Sequence, residues 1–123
     1  MTRSQSSPAE IRLKRIYEDA EEADGFRVLV DRLWPRGKSK KDAALDVWLK
    51  EVAPSPELRR WWDHDPDRMD EFAARYRQEL DESEGAAALR SILAEHSTVT
   101  LLYAARDEEI NHAVVLRQYL IGC

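Results

Sequence analysis

Two short segments concentrate the side chains that could do chemistry, and the first is residues 31–37, Asp-Arg-Leu-Trp-Pro-Arg-Gly. It follows an apolar run, and the loop that leaves a buried strand is where α/β folds tend to bind ligands. Its proline and glycine bend the chain sharply. Guanidinium groups match the geometry of phosphates and carboxylates, so Arg32 and Arg36 could converge on one anion. The segment predicts an anion clamp, with Trp34 as a pocket wall.

The second segment, residues 103–112, places polar side chains directly after another apolar run. A strand end followed by a helix start is again the usual ligand position in an open sheet. We predict that His112 acts as an acid, a base or a hydrogen-bond donor, because an imidazole can give and take a proton. Asp31 and Asn111 would orient the binding groups. The other ligand-binding candidates in this segment are Tyr103 and Arg106.

The sequence leaves open whether these residues catalyse a reaction. It contains no nucleophile motif, no P-loop and no Gly-x-Gly-x-x-Gly. Catalysis would therefore be general acid–base or electrostatic, with His112 and Asp31 as the catalytic candidates. Asp107 and Tyr103 are further proton donors or acceptors. His64 could form a metal site with Asp65 and Asp67, but helix capping already explains both aspartates, so we expect no metal and no cofactor.

Each candidate also has a purely structural interpretation. Arg32 could pair with a core carboxylate, Arg36 could be solvated, and His112 could hydrogen-bond to the backbone. The acidic residues 107–109 would crowd the start of the last helix and compete with an anion for its positive dipole end.

Two other functions stay open beside the binding of a small phosphate-bearing anion. A nucleic-acid or regulatory accessory module would use the basic residues 32–41 as a phosphate-binding strip. An interaction module would dock a partner, or a second copy in a homodimer, through Trp61 or Trp62.

The composition is that of an ordinary globular protein, with 123 residues, 43% hydrophobic and 35% charged. A net charge of −5 argues against a general nucleic-acid or acidic-membrane binder. No apolar stretch approaches the roughly 20 residues that cross a bilayer, so we expect a cytoplasmic protein without a membrane partner. The single cysteine, Cys123, excludes an intrachain disulfide. We take residues 1–10 as a disordered tail and residues 11–123 as one domain.

Three segments have strand patterns. Residues 11–17 alternate apolar and basic side chains, which is typical of a strand near a sheet edge. Residues 26–33 form the second predicted strand. Residues 99–105 are almost entirely apolar and predict an inner strand that is covered on both faces. A short fourth strand could lie between residues 38 and 45.

Helical spacing of apolar residues fills the intervals. It predicts a helix through Leu45 and Val52, a second one capped by Ser55, and a third beginning after Asp65. Residues 86–96 form a fourth, and Asp107 would cap a last helix, with Asn111 and His112 about one turn inside it. The fold class is therefore α/β, a small three-layer sandwich whose mostly parallel sheet of three to four strands is flanked by helices.

Several blocks in this order resemble the YeaO-like proteins of the domain-of-unknown-function family 488. The blocks are residues 14–17, 24–37, 53–59, 72–80, 100–107 and 111–113. The most specific is Asp-Arg-Leu-Trp-Pro-Arg-Gly at residues 31–37. The resemblance implies a small bacterial α/β domain with no settled activity. Other branches tend to carry a cysteine and an arginine around the histidine that matches His112, whereas Asn111 and Ala113 stand here. This departure argues against thiol chemistry.

Overall fold

The structure, a computed structural model, describes residues 9–122, which fold around a parallel sheet of four strands. The strands are β1 (Glu10–Arg15), β2 (Phe26–Leu29), β3 (Val47–Trp48) and β4 (Thr98–Tyr103), in the spatial order β1-β4-β2-β3. In the central strand, Leu101 lies opposite Leu13 of β1 on one side and Val28 of β2 on the other. Because every pairing is parallel, the carboxyl ends of all four strands meet at one edge of the sheet.

The three predicted strands are confirmed at β1, β2 and β4. β1 is an edge strand, as its alternation of apolar and basic residues indicated. β4 lies between two neighbours, and its residues from Val99 to Tyr103 are all buried. A nearly continuous apolar run is what a strand covered on both faces requires.

The helix predicted through Leu45 and Val52 is wrong. Val47–Trp48 instead forms β3 beside β2, and a 3₁₀ turn follows at Lys50–Val52. The physical reason is that these apolar residues serve two different clusters: Leu45 and Trp48 pack on one face of the sheet, while Leu49 and Val52 pack on the other. The suspected fourth strand therefore exists, but it follows residues 38–45. Those residues contain the short helix α1 (Lys40–Ala43) instead.

The next three helices agree with the predicted segments. They are α2 (Pro56–Trp62), α3 (Met69–Asp81) and α4 (Glu84–Glu95). Ser55 caps α2 as expected, because its hydroxyl accepts a hydrogen bond from the Leu58 amide at 3.1 Å. Asp65 accepts from the Asp67 amide and caps a 3₁₀ turn, Pro66–Arg68, that runs directly into α3.

The last helix, α5 (His112–Ile121), begins later than predicted. Its cap is Asn111, whose Oδ1 accepts from the Val114 amide at 3.0 Å, and not Asp107. Asp107 instead binds the amides of Glu109 and Ile110 in the preceding loop. Asn111 and His112 therefore stand at the very start of the helix, and its first turn holds no acidic residue. The expected competition between acidic side chains and an anion in the first turn of this helix does not arise.

Two hydrophobic clusters cover the two faces of the sheet. Val28 and Leu101 belong to the larger cluster, whereas their neighbours Leu29 and Leu102 belong to the smaller one. This division follows from the alternation of side chains along a strand. Helices α2 to α5 contribute to the larger cluster, and α1 contributes Ala43 to the smaller one. The predicted three-layer α/β architecture is thus confirmed.

The structure rules out one of the two tryptophans that were predicted to dock a partner. Trp62 is only 2% exposed and stacks on Phe72 with ring centroids 3.8 Å apart. Trp61 is partly buried, and the Arg75 guanidinium lies 4.3 Å from its ring centroid. Trp62 is therefore a core residue, because a buried side chain has no surface to offer a partner.

Most of the predicted tail, and Cys123, lie outside the described residues; within them β1 already begins at Glu10. Across residues 9–122 no helix is both long and apolar enough to cross a membrane. The same residues contain no group of three His, Cys, Asp or Glu side chains that could hold a metal ion.

Candidate functional site

A cavity of about 340 Å³ lies at the carboxyl ends of β2 and β4, and we call it the strand-end pocket. Its walls bring together the two segments that the sequence singled out, since the Asp31 carboxylate accepts a hydrogen bond from the Ala104 amide at 2.9 Å. The position matches the rule that ligands bind outside the carboxyl ends of parallel strands. The lining residues are Tyr17, Asp31, Arg32, Leu33, Trp34, Pro35, Arg36, Ala53, Pro54, Arg59, His64, Ala104, Ala105 and His112.

Asp31 and His112 form a close pair in the wall of this pocket. His112 Nε2 lies 3.2 Å from Asp31 Oδ1 and 3.0 Å from the Val30 carbonyl oxygen. A carbonyl can only accept, so Nε2 carries a proton that it donates to Val30. Asp31 Oδ1 is buried and receives no well-directed hydrogen bond from the described residues, although it lies close to the ring. The carboxylate and the ring therefore lie side by side, with the Nε2 proton directed at the Val30 carbonyl.

Arg32 anchors the opposite wall. Its guanidinium donates to the carbonyls of Ala53 at 3.1 Å and of Pro54 at 3.4 Å, at the end of the 3₁₀ turn that follows β3. The predicted alternative of an ion pair with a core carboxylate is wrong, because Arg32 takes backbone carbonyls as partners. Those carbonyls are neutral, and Arg32 makes no ion pair with any residue between 9 and 122.

Arg36 and Arg59 supply two further guanidinium groups. Both residues are exposed, and neither side chain makes a hydrogen bond or an ion pair within residues 9–122. The main chain of Arg36 is held in place, because the Tyr17 hydroxyl donates to its carbonyl oxygen at 2.9 Å. Among the lining residues that the structure describes, Asp31 is the sole carboxylate. The pocket is consequently positive in a chain whose net charge is −5.

The tight turn at residues 31–37 gives these groups a rigid support. Pro35 is buried, and Gly37 adopts a φ of 75°, the left-handed conformation for which glycine is suited. Trp34 lines the pocket and donates from Nε1 to the Lys38 carbonyl at 2.6 Å. Its ring meets Trp48 edge to face, with centroids 5.3 Å apart. The turn is thus fixed on the smaller cluster and presents its arginine to the pocket.

Three of the predicted site residues do not line the strand-end pocket. Tyr103 is a core residue, and its burial, with smaller contributions from Glu108 and other charges, raises the pKa of its hydroxyl. A raised pKa makes that hydroxyl a poor proton donor near neutral pH. Asn111 is fully buried, and it caps α5 and donates to the Asp107 carbonyl at 2.8 Å. Arg106 is exposed outside the cavity.

Three lining residues with polar side chains were missed as members of this site: Tyr17, Arg59 and His64. Arg59 lies on α2, where its helical spacing resembles that of any surface arginine. His64 was weighed only as a metal ligand. No local signal in the sequence identifies either residue, because the distant segments that carry them meet only in the folded chain.

The sequence model of the family described as "Inactive DUF488-N3 subclade" matches residues 10–122. An uncharacterised protein of Mycobacterium tuberculosis strain H37Rv is 50% identical over 112 residues, which cover 91% of this chain and 94% of that protein. The uncharacterised protein YeaO of Escherichia coli strain K12 is 44% identical over 110 residues, covering 89% of this chain and 96% of YeaO. No solved structure matches the chain.

Proposed function

Since the chain belongs to the DUF488-N3i family, the inactive DUF488-N3 subclade, we propose that its strand-end pocket binds a small phosphate-bearing anion without transforming it. The earlier resemblance to the YeaO-like proteins is confirmed by the 44% identity to YeaO. The names of these relatives assign no ligand, so the proposal depends on the pocket itself.

The observation that carries the proposal is the pair of guanidinium groups on Arg36 and Arg59, which have no hydrogen-bond or ion-pair partner in the part of the chain that the structure describes. A surface ion pair contributes little to stability, so an exposed arginine without one costs the fold little and stays available to a ligand. Here two arginines line one cavity beside Arg32, whose partners are neutral carbonyls. A phosphate would provide the missing counter-charge and accept hydrogen bonds from more than one guanidinium.

The size of the cavity limits the ligand. Its volume of about 340 Å³ lies near the lower end of the range of about 300 to 1,000 Å³ for small-molecule sites. A sugar phosphate or a mononucleotide suits such a volume better than a dinucleotide cofactor does. The side chains of Tyr17, Leu33 and Trp34 provide apolar surface for the part of the ligand that is not charged.

Binding without chemistry is favoured by what lines the pocket. None of its described lining residues is a serine, threonine, cysteine or lysine, and the Tyr17 hydroxyl already donates to the Arg36 carbonyl. His112 and Asp31 remain as the one pair able to move a proton, and Nε2 is already committed to the Val30 carbonyl. We assign this pair to shaping the wall of the pocket.

We expect Arg59→Ala to weaken the binding of a phosphate compound by about 10- to 100-fold, because a charge-assisted hydrogen bond is worth about 1.5 to 3 kcal/mol. Isothermal titration calorimetry with inorganic phosphate, ribose 5-phosphate and adenosine monophosphate would measure the loss. The stability of the unliganded protein should change by less than about 0.5 kcal/mol, since the Arg59 side chain is exposed and has no partner.

Arg60→Ala is the matched control. Arg60 is the next residue on α2, is equally exposed and does not line the pocket. It removes the same net charge, so a general electrostatic effect would weaken binding equally in both variants. Equal losses, or no saturable binding by the wild type to any of the three compounds, would reject the proposal.

A further inference from the structure

His64 lines the strand-end pocket and caps neither the helix before it nor the turn after it. Its neighbour Asp65 explains the cap of the following turn. No hydrogen bond to the His64 ring is found among the described residues. The imidazole nevertheless occupies a defined position, because it stacks on the Trp62 ring with centroids 4.7 Å apart.

The backbone that carries His64 is unusual. Asp63 and His64 have φ angles of 52° and 53°, so two consecutive residues with side chains lie in the left-handed region. One such residue is enough to end a helix, and Asp63 already does this for α2. The second is not required for capping and is unfavourable for any residue with a Cβ, although histidine tolerates it better than most. Strained positions of this kind cluster at ligand sites.

The stack below His64 explains how the position is maintained. Trp62 is buried and stacks in turn on Phe72, so three rings form a column from the core of the protein to the pocket. Arg59 lies on the same helix as Trp62, about one turn earlier. The column therefore places an imidazole in the wall of the cavity that Arg59 also lines.

We infer that His64 binds the phosphate group of the ligand. The strained turn at residues 63–64 keeps the His64 side chain at the pocket. The inference rests on the proposed function and adds a specific donor to it. An imidazole N–H held by the ring stack and the guanidinium of Arg59, which lines the same cavity, would give the ligand donors from two separate side chains. This arrangement favours the tetrahedral oxygens of a phosphate over a planar carboxylate, which one guanidinium satisfies alone.

A competing role for His64 is an interaction with Asp107, whose carboxylate lies near enough for His64 to affect it. The pKa of Asp107 is held below its usual range mainly by hydrogen bonds from the amides of Ile110 and Glu109, and His64 contributes least. Asp107 already has these two backbone donors. His64 therefore adds little to this loop, and removing it should leave the loop in place.

The test compares His64→Gly with Asp63→Gly. Both substitutions remove a positive-φ side chain from the same turn, but only His64 lines the pocket. In calorimetric titrations with ribose 5-phosphate, His64→Gly should weaken binding about tenfold, whereas Asp63→Gly should bind like the wild type. Thermal unfolding should show that neither midpoint falls by more than a few degrees, since the relieved backbone offsets the lost contacts. If His64→Gly fails to fold, His64→Asn replaces it in the titrations, because asparagine tolerates the same positive φ.

Proton NMR adds a measurement that uses the wild-type protein alone. The chain has three histidines, His64, His96 and His112, and His96 stacks on Phe26 away from the pocket lining. Inorganic phosphate should shift the imidazole signals of His64 and leave those of His96 unchanged. Phosphate binding that depends on Arg59 but leaves the His64 signals and the His64→Gly affinity unchanged would overturn this inference and leave the proposed function intact. A wild-type protein that binds no phosphate compound would overturn both.

Discussion

Asp24→Asn is expected to lower the free energy of unfolding by about 3 to 5 kcal/mol at neutral pH, because it breaks a buried ionic network by removing one charge. Asp24 is 3% exposed and Arg27 is 5% exposed, and their side chains form a salt bridge. Lys14 Nζ lies 3.1 Å from the same carboxylate, and the Glu21 amide donates to it at 3.0 Å. An asparagine would leave two cations facing an amide.

The effect extends beyond the ion pair, because Asp24 connects the sheet to the loop before β2. The Thr100 hydroxyl of β4 donates to the Asp24 carbonyl at 2.6 Å. Arg27 also donates to the carbonyls of Ala43 at 2.8 Å and Ala44 at 3.0 Å, and so fixes the end of α1. Urea denaturation would measure the loss, with Asp19→Asn as a control at an exposed aspartate of the same loop. A loss in Asp24→Asn no larger than in the control would show that the network contributes no net stability.

The same carboxylate should shape the acid limb of the stability profile. Burial alone would raise the pKa of Asp24, but hydrogen bonds from the Glu21 amide, Lys14 and Arg27 outweigh it and hold the pKa below its usual range. A carboxyl with a depressed pKa stabilises the protein fully above its unfolded pKa and loses that contribution as the pH falls through its folded value. Below about pH 4 the wild type should therefore lose stability more steeply than Asp24→Asn.

Local sequence patterns predicted an element correctly where the burial and packing around it favour the same structure as the pattern. The apolar run at β4 is buried on both faces, and Ser55 caps α2 with the hydroxyl that the sequence offered. Prediction failed at Trp48 and Asp107, where more than one local solution was available. Trp48 has helical spacing to its apolar neighbours, but it pairs with Leu29 of β2 in the sheet. Asp107 can cap a helix, but it accepts hydrogen bonds within a loop, and Asn111 caps the helix.

The candidate site was predictable only in part, for a similar reason. Residues in the turn at 31–37 could be assigned because the turn and its charges are contiguous. Arg59 and His64 belong to the connection between β3 and β4, and their position beside the turn depends on how α2 packs on the larger cluster. Such long-range packing leaves no spacing in the sequence to recognise. The turn at residues 31–37 could therefore be predicted as part of the pocket from the sequence, whereas Arg59 and His64 could be assigned to it only from the folded structure.

Gly25→Ala should be nearly as destabilising as the loss of Asp24, at about 3 kcal/mol or more, because two separate penalties combine there. Gly25 has φ 66° and ψ −133°, a conformation that residues with a Cβ rarely adopt. A Cβ built there would also lie 2.4 Å from the Thr98 carbonyl oxygen. That oxygen belongs to the main chain of β4, which is paired on both sides, so it cannot move aside without disturbing the sheet.

Gly37→Ala separates the two penalties. Gly37 has a similar φ of 75°, but a Cβ there would meet nothing within 4 Å, so only the conformational cost of about 1 to 2 kcal/mol remains. Urea midpoints with unchanged m-values should place Gly25→Ala well below Gly37→Ala, and the difference measures the resistance of the β4 main chain. Equal midpoints would mean that Thr98 yields freely. Such yielding is hard to reconcile with a central strand, because Thr98 begins a strand that pairs with β1 on one side and β2 on the other.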